Sequence, residues 1–248
     1  MKAVIIVSIV LLLGTVAVGG VLLFKADTIK APSDLSAENF VKACAKTYET
    51  KGFHLKMKLD FVMGKVKQRV EMAGKQQNPD MMYIQAKVQG QTLEGYVKGE
   101  KAVFGSSQTD TWELQKDLTN SGRTHMLPLK QMLEASRYIK NAKSIDDTQI
   151  NGIFCKGVSI DLKKEGLIRL CNLESVAEQC NIEFKDANYL LWYDPQDFLP
   201  YRINISFGAT LSDMTSTADV SFKAECELFD YNKNVEIKFP DKVKALVF

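Results

Sequence analysis

Histidine is nearly absent from this sequence. Only His54 and His125 occur among its 248 residues, and neither belongs to an H-E-x-x-H pattern. The chain also lacks a G-x-S-x-G nucleophile motif, a G-x-G-x-x-G motif and a glycine-rich phosphate loop. His54 lies on the polar side of an alternating segment and His125 in a turn-rich stretch, so we expect both at the surface. The sequence therefore predicts no catalytic residue and no cofactor, with a secreted enzyme of unrecognised site as the alternative.

Charge of one sign is not concentrated anywhere in the chain. The 32 Lys and Arg residues and the 30 Asp and Glu residues are scattered and give a net charge of +2. Nucleic-acid-binding domains usually carry a clustered basic surface. We therefore expect no nucleic-acid partner.

The five cysteines lack metal-binding spacing. They are Cys44, Cys155, Cys171, Cys180 and Cys226, and no two form a C-x-x-C pair. With so few histidines, the sequence predicts no metal site. In an oxidising compartment Cys171 and Cys180 could form a disulfide across a short loop. The alternative is that all five are buried as small apolar side chains.

One long uncharged run is present, and it lies at the N-terminus. Ala3 to Phe24 contains no charged residue and, as a helix, matches the thickness of a bilayer core. Residues 1–25 are expected to be an uncleaved signal anchor or a cleaved signal peptide. Residues 26–35 have the composition of a linker, and residues 36–248 that of one folded domain. Either interpretation places this domain outside the cytoplasm, in the periplasm or at the cell surface, or secreted if the segment is cleaved.

The segment from Gly52 to Met72, "GFHLKMKLDFVMGKVKQRVEM", predicts a β-hairpin with one apolar face. Every odd position from Phe53 to Met63 is apolar, and the even positions except Val62 are polar. Strict alternation is the pattern of a half-buried strand. Gly64-Lys65 then predicts a turn into a second strand, Val66 to Met72.

Helices are expected on both sides of the N-terminal strands. The first begins with Ser36 as its N-cap and ends before Gly52, and its apolar stripe consists of Phe40, Val41, Cys44, Ala45 and Tyr48. A second amphipathic helix after Pro128 would include Leu129, Met132, Leu133, Ser136 and Ile139. The stretch "KKEGLIRLCNLESVAEQC" is a third candidate.

The remaining segments predict short antiparallel strands. They are "MMYIQAKVQG", "TLEGYVKGE", "KAVFGSS", "DTWELQ", Ile153–Leu162, Asn188–Tyr193, Leu199–Phe207, Asp219–Tyr231 and Val235–Phe239. A sheet of about ten strands normally curls, and helices must cover its apolar concave face. The expected fold class is therefore α+β, with a strongly curved antiparallel sheet.

The apolar residues of these elements suggest a cavity for acyl chains. Methionine is frequent among them, and its flexible side chain suits a surface that accommodates several shapes. Ordinary core packing is the alternative explanation. The predicted lining consists of Phe53, Leu55, Met57, Leu59, Phe61, Met63, Met72, Tyr83, Tyr96, Trp112 and Trp192, covered by Leu129, Met132 and Leu133.

Several passages, in this order, resemble a known family. After the leading helix and the alternating strand come "QNPDMMY", "GYVKGEKAVFGSSQTDTWEL", "LLWYDPQDFLPYRINIS" and "ADVSFKAECELFDYNKNVEIKFPDKV". The third is similar to a W-x-D-x-x-x-x-L-P-x-R signature. Together they resemble the LolA-like lipoprotein-carrier superfamily, which includes LppX/LprG-type lipid carriers and RseB-type sensors. The resemblance covers nearly everything from Ser36 to Val243.

The resemblance implies a fold and a function. The family fold is a half-open, curved antiparallel β-barrel whose helices form a lid over an apolar cavity. It implies non-catalytic binding of the acyl chains of lipids or lipoproteins outside the cytoplasm. Asn78 stands where soluble carriers of the family have a basic residue that helps to hold the lid. With an N-terminal anchor, a membrane-tethered binding protein is expected, and a sensor acting on a membrane-protein partner is the alternative.

Overall fold

The computed structural model describes residues 35–88, 91–99, 101–114, 135–170, 173–213 and 216–248. Its helices are α1 (Leu35–Tyr48), α2 (Lys164–Leu170), α3 (Glu174–Ala177) and α4 (Asp241–Val247). The first six strands are β1 (Gly52–Met63), β2 (Val66–Gln77), β3 (Met81–Val88), β4 (Gln91–Lys98), β5 (Lys101–Ser106) and β6 (Thr111–Leu114). The others are β7 (Ile139–Ile150), β8 (Ile153–Leu162), β9 (Asn181–Tyr193), β10 (Pro200–Ser212) and β11 (Thr217–Phe229).

All the strands join one 11-stranded sheet in the order β6-β5-β4-β3-β2-β1-β11-β10-β9-β8-β7. Two meanders, β1 to β6 and β7 to β11, are joined where β1 pairs with β11. Every pairing is antiparallel, and among the described strands β6 and β7 form the two edges of the sheet, which is open. A twisted sheet of this width curls. The α+β class and the curved antiparallel sheet predicted from the sequence are confirmed.

The β1 alternation defines the two faces of the sheet. Phe53, Leu55 and the following odd positions up to Phe61 are buried, whereas Lys56 and Lys58 between them are exposed. Side chains alternate between the two faces along a strand, and residues paired across neighbouring strands project from the same face. The pairing therefore shows which face each residue of the other strands occupies. We call the face that includes Leu55 the inner face, and the face that includes Lys56 the outer face.

Helix α1 packs on the inner face. The ring of Phe40 meets that of Tyr189 in β9 edge to face, with ring centroids 5.3 Å apart. Its fully buried stripe is Ala37, Phe40, Ala43, Cys44 and Thr47. The expected stripe was therefore partly wrong: Ala45 is exposed, and Val41 and Tyr48 are only half-buried.

The outer face has a smaller apolar cluster of its own. Tyr96 and Val103 pack there against Ile237, Phe239 and the α4 residues Val243 and Val247. The predicted strand Val235–Phe239 was wrong, because this segment has extended alternation but joins no described strand. The segment crosses the outer face and covers β4 to β6. We call residues 235–247 the C-terminal cover.

Two other elements differ from the sequence-based expectation. Strand β7 was not predicted, because its polar sequence "KNAKSIDDTQ" suits an exposed edge. Ile139 begins this strand and does not continue a helix, although Ser136 is helical. Strand β9 also begins earlier than predicted, at Asn181.

The N-terminal segment, residues 1–34, lies outside the described ranges. None of the helices within those ranges is both long enough and apolar enough to cross a membrane. The expected anchor at residues 1–25 therefore stays a prediction.

Candidate functional site: the apolar inner face

The centre of the inner face is formed by β1 and its two neighbours. Leu59 lies opposite Val70 of β2 and Ala224 of β11, while Met57 lies opposite Met72 and Cys226. The structure thus brings together most of the predicted β1 and β2 lining. These buried residues are Phe53, Leu55, Met57, Leu59, Phe61 and Met72, with Met63 half-buried beside them.

A group of phenylalanines extends this surface towards β9. The rings of Phe207 and Phe222 stack with centroids 5.1 Å apart, and Phe184 meets Phe207 edge to face at 5.4 Å. Phe61 is the register partner of Phe222. Sequence reasoning missed Phe184, Phe207 and Phe222, although the alternation in β10 and β11 could have indicated the last two.

Neutral hydrogen bonds hold the end of α1 against the β2–β3 connection. The Asn78 amide nitrogen Nδ2 donates to the carbonyl oxygens of Thr47 at 3.0 Å and Thr50 at 2.9 Å. Helix C-termini leave such carbonyls without intrahelical donors. Gln76 Nε2 in turn donates to Asn78 Oδ1. Asn78 therefore ties the cover of the inner face to the sheet.

The buried ionisable groups of α1 and of the strands beneath it are kept uncharged. Burial raises the pKa of the Cys226 thiol to about 12, and it raises the pKa of Cys44 further. Burial also raises the pKa of Tyr189 well above its usual value. The only buried charged residue in the described ranges is Glu94, which lies on the outer face. The buried part of the inner face in these ranges is thus apolar and electrically neutral.

Comparisons with known proteins show the fold of this chain. The lipoprotein LppX of Mycobacterium tuberculosis is 12% identical and aligns over 84% of this chain and 100% of its own, with a TM-score of 0.55. LprF of Mycobacterium bovis is 11% identical over 85% of this chain and 99% of its own, with a TM-score of 0.51. The chain shares the fold of LppX. This confirms the resemblance noted in the sequence at the level of the fold.

More distant comparisons add little to this. A LolA superfamily protein of Nitrosomonas europaea aligns over 85% of the chain at 8% identity, but its TM-score of 0.33 is too low to compare the folds in detail. No protein-family model matches the chain, and no curated protein is similar to it in sequence.

Four predicted lining residues lie on the other side of this LppX-like sheet. The inward-facing Leu55 is paired across successive strands, through Ile84 and Gly95, to Glu113, so these residues face inward too. Their chain neighbours Tyr83, Tyr96 and Trp112 project from the opposite face. They therefore face outward, and their assignment to the inner surface was wrong. Trp192 follows the inward-facing Leu191, so it is outward as well.

The outward position of Trp192 is fixed by a hydrogen bond. Its indole nitrogen Nε1 donates to the carbonyl oxygen of Asp146 at 3.1 Å. Gly157 lies directly across from Trp192, and a Cβ atom there would be 2.9 Å from that nitrogen. The absence of a side chain at residue 157 therefore leaves room for the indole.

Other predicted site residues are not tested. Leu129, Met132 and Leu133, the expected helical cover, lie outside the described residues. So does Cys171, and the Cys180 thiol donates to the carbonyl oxygen of Val176 at 3.1 Å. The disulfide stays a prediction. The described ranges contain no group of three His, Cys, Asp or Glu side chains that could bind a metal ion.

Proposed function

We propose that this protein binds the acyl chains of lipids or lipoproteins on its inner face, outside the cytoplasm, without catalysing a reaction. The single observation that carries this proposal is the continuous neutral apolar surface from Met72 through Leu59 to Phe222 and Phe207. Each methylene group removed from water contributes about 0.8 kcal/mol. A surface of this kind therefore suits a hydrocarbon chain better than a polar ligand.

The attachment of α1 also supports this function. A cover over an acyl-chain site must be able to separate from the sheet without leaving charges buried. Asn78 holds the end of α1 through uncharged hydrogen bonds, and a neutral hydrogen bond contributes only about 0.5–1.5 kcal/mol net. Opening this end of the helix would break few strong interactions. With the N-terminal anchor predicted from the sequence, the protein would act while tethered to the membrane.

The test is lipid analysis of the full chain purified from membranes of its native host. We expect native mass spectrometry to show a bound lipid or lipoprotein in stoichiometric amount. The variant Ala224→Phe places a ring opposite Leu59 and should reduce the bound lipid. The matched control Ser221→Phe adds the same ring to the exposed outer side of β11 and should leave it unchanged.

Two results would contradict the proposal. One is wild-type protein that repeatedly carries no lipid, and the other is equal lipid in the two phenylalanine variants when circular dichroism shows both folded. Capture of one stoichiometric membrane protein in place of lipid would instead favour the sensor function.

A further inference from the structure

A cluster of aromatic residues and one carboxylate lies on the outer face, away from the proposed lipid site. Tyr83 of β3 and Tyr96 of β4 have ring centroids 4.9 Å apart, and Tyr96 and Trp112 of β6 have centroids 5.5 Å apart. Glu94 precedes Tyr96 by two residues on the same strand, so its side chain projects from the same face. We call these four residues the outer aromatic site.

Glu94 is buried without a cationic partner in the part of the chain that the structure describes. The side chain is 8% exposed. The hydroxyl groups of Ser107 and Tyr83 donate to its Oε1 atom at 3.1 and 3.4 Å. The other oxygen, Oε2, is buried and accepts no hydrogen bond from any residue that the structure describes. Burial of a charged group without a paired charge is unfavourable by several kcal/mol.

The backbone beside Glu94 leaves space for the indole ring of Trp112. Gly105 of β5 lies between the two residues as the register partner of both. A Cβ atom at Gly105 would be 2.8 Å from the Cε3 atom of Trp112 and 2.0 Å from the carbonyl oxygen of Thr111. A larger residue is therefore excluded, and the indole lies over β5 on the side of Glu94.

The chemistry of these side chains selects one class of ligand. A carboxylate oxygen without a donor attracts a cation, and the faces of Trp and Tyr rings attract cations through their quadrupoles. A metal ion would need several oxygen, nitrogen or sulfur ligands, and no such group occurs in the described ranges. An organic ammonium ion instead satisfies the carboxylate and contacts the rings with its alkyl groups.

We propose that the outer aromatic site binds an organic ammonium cation, with Glu94 as its counter-ion and Tyr83, Tyr96 and Trp112 as its aromatic walls. The site lies on the opposite face from the acyl-chain surface and does not depend on the proposed function. Tyr83 and Trp112 are half-buried, and Trp112 belongs to a four-residue strand at the edge of the sheet. Tyr96 is covered by Phe239, with ring centroids 5.5 Å apart, so the accessible part of the site is the side formed by Tyr83 and Trp112.

Fluorescence of Trp112 provides the test. The protein contains two tryptophans, so the full chain with Trp192→Phe reports on Trp112 alone. We expect choline to change this fluorescence saturably. The neutral isostere of choline has a carbon atom in place of the nitrogen. It should bind at least about tenfold more weakly, because the cation–π and ionic interactions are lost. This comparison requires no change in the site itself.

A charge-neutralising variant sharpens the test. Glu94→Gln keeps the size of the side chain and should weaken choline binding by at least about tenfold. The matched control is Glu113→Gln, at an exposed carboxylate beside Trp112 on the inner side of β6, and it should bind choline like the parent. Equal affinity for choline and its neutral isostere would overturn the proposal, as would unchanged binding in folded Glu94→Gln protein or no saturable response to choline.

Binding of soluble short-chain lipids distinguishes a lipid headgroup from a free ammonium compound as the ligand. Dihexanoyl-phosphatidylcholine that binds like choline and is displaced by it indicates a lipid headgroup as the ligand. Choline binding without binding of this lipid indicates a free ammonium compound. Equal binding of dihexanoyl-phosphatidylglycerol at the same site, which carries no ammonium group, would contradict the proposal.

Discussion

The two faces of the sheet are both apolar in part, but they are covered in different ways. On the inner face, apolar side chains continue across the strands and α1 lies over them. On the outer face, apolar side chains are concentrated on β3 to β6, under the C-terminal cover, whereas Lys56 and Lys58 of β1 are exposed. The comparison shows that one sheet can carry two separate apolar clusters with different partners.

The attachments of the two covers differ in charge. Asn78 holds α1 through amide and carbonyl groups, whereas the exposed pair Lys242–Asp110 links α4 to the turn before β6. Exposed ion pairs are weakened by salt, but neutral hydrogen bonds are much less sensitive. The inner cover should therefore respond to loss of packing and hydrogen bonds, and the outer cover also to pH and salt.

The largest effect is expected from Phe40→Ala. Phe40 is 1% exposed and packs on Tyr189, and removal of a buried phenylalanine side chain costs about 3–5 kcal/mol. Urea unfolding followed by circular dichroism should show this loss in the free energy of unfolding. Ala45→Ser, at an exposed position of the same helix, should change it little. A loss of unfolding free energy smaller than in the Asn78→Ala variant described next would mean that α1 is not firmly packed.

A smaller loss is expected from Asn78→Ala. The carbonyl group of Thr50 would lose the donor that Asn78 supplies, at a cost of about 1–3 kcal/mol, whereas that of Thr47 keeps the hydrogen bond from the Thr50 hydroxyl. The end of α1 should open more often and expose Cys44, whose alkylation can be followed by peptide mass spectrometry. Asn141→Ala, at an exposed asparagine of β7, is the control. Equal alkylation rates at Cys44 in both variants would show that Asn78 does not hold the helix.

Val243→Ala should affect the outer cover alone. Val243 is fully buried against the outer cluster, and loss of two methyl groups costs about 1–2 kcal/mol. We expect faster hydrogen exchange in β4 and β5, with α1 unchanged. Ala245→Ser, on the exposed side of α4, should exchange like wild type. Faster exchange throughout the chain would show that the two apolar clusters unfold as one unit.

The smallest effect concerns Asp110. The hydrogen bond from Lys242 holds the pKa of this carboxyl below its usual range. The pKa of Asp110 is thus lower in the folded state than in the unfolded state. The contribution of the Asp110–Lys242 pair to stability is therefore complete above about pH 4, and it is lost as the pH falls through the folded-state pKa. Titration by NMR should show the Asp110 midpoint return towards the ordinary value in Lys242→Met. The Asp60 midpoint, lowered by Arg69, should not change.

Much of the fold could be predicted from local patterns. The hairpin from Phe53 to Met72, the strands of "MMYIQAKVQG" to "DTWELQ" and Ile153–Leu162 follow from alternation and turn residues, and the structure contains all of them. Strand β7 could not be predicted in this way, because an edge strand needs hydrogen bonds from one neighbour only and little apolar surface.

The candidate site was predicted only in part. The β1 and β2 residues lie together because Leu55 to Phe61 alternate with polar residues, which leaves one possible inner face. In "YLLWY" and in the strands with Tyr83, Tyr96 and Trp112, residues on both sides are apolar or aromatic. Alternation then defines two faces without indicating which one is inward.

The sequence by itself determined where most strands lie and which side of β1 is buried, because these depend on neighbouring residues in one segment. Only the tertiary structure decided which face of β3 to β6 and β9 meets α1, because that depends on strand register across the whole sheet. It also decided that the last residues of the chain cover a second apolar cluster, since a short alternating segment can bury its side chains without joining the sheet.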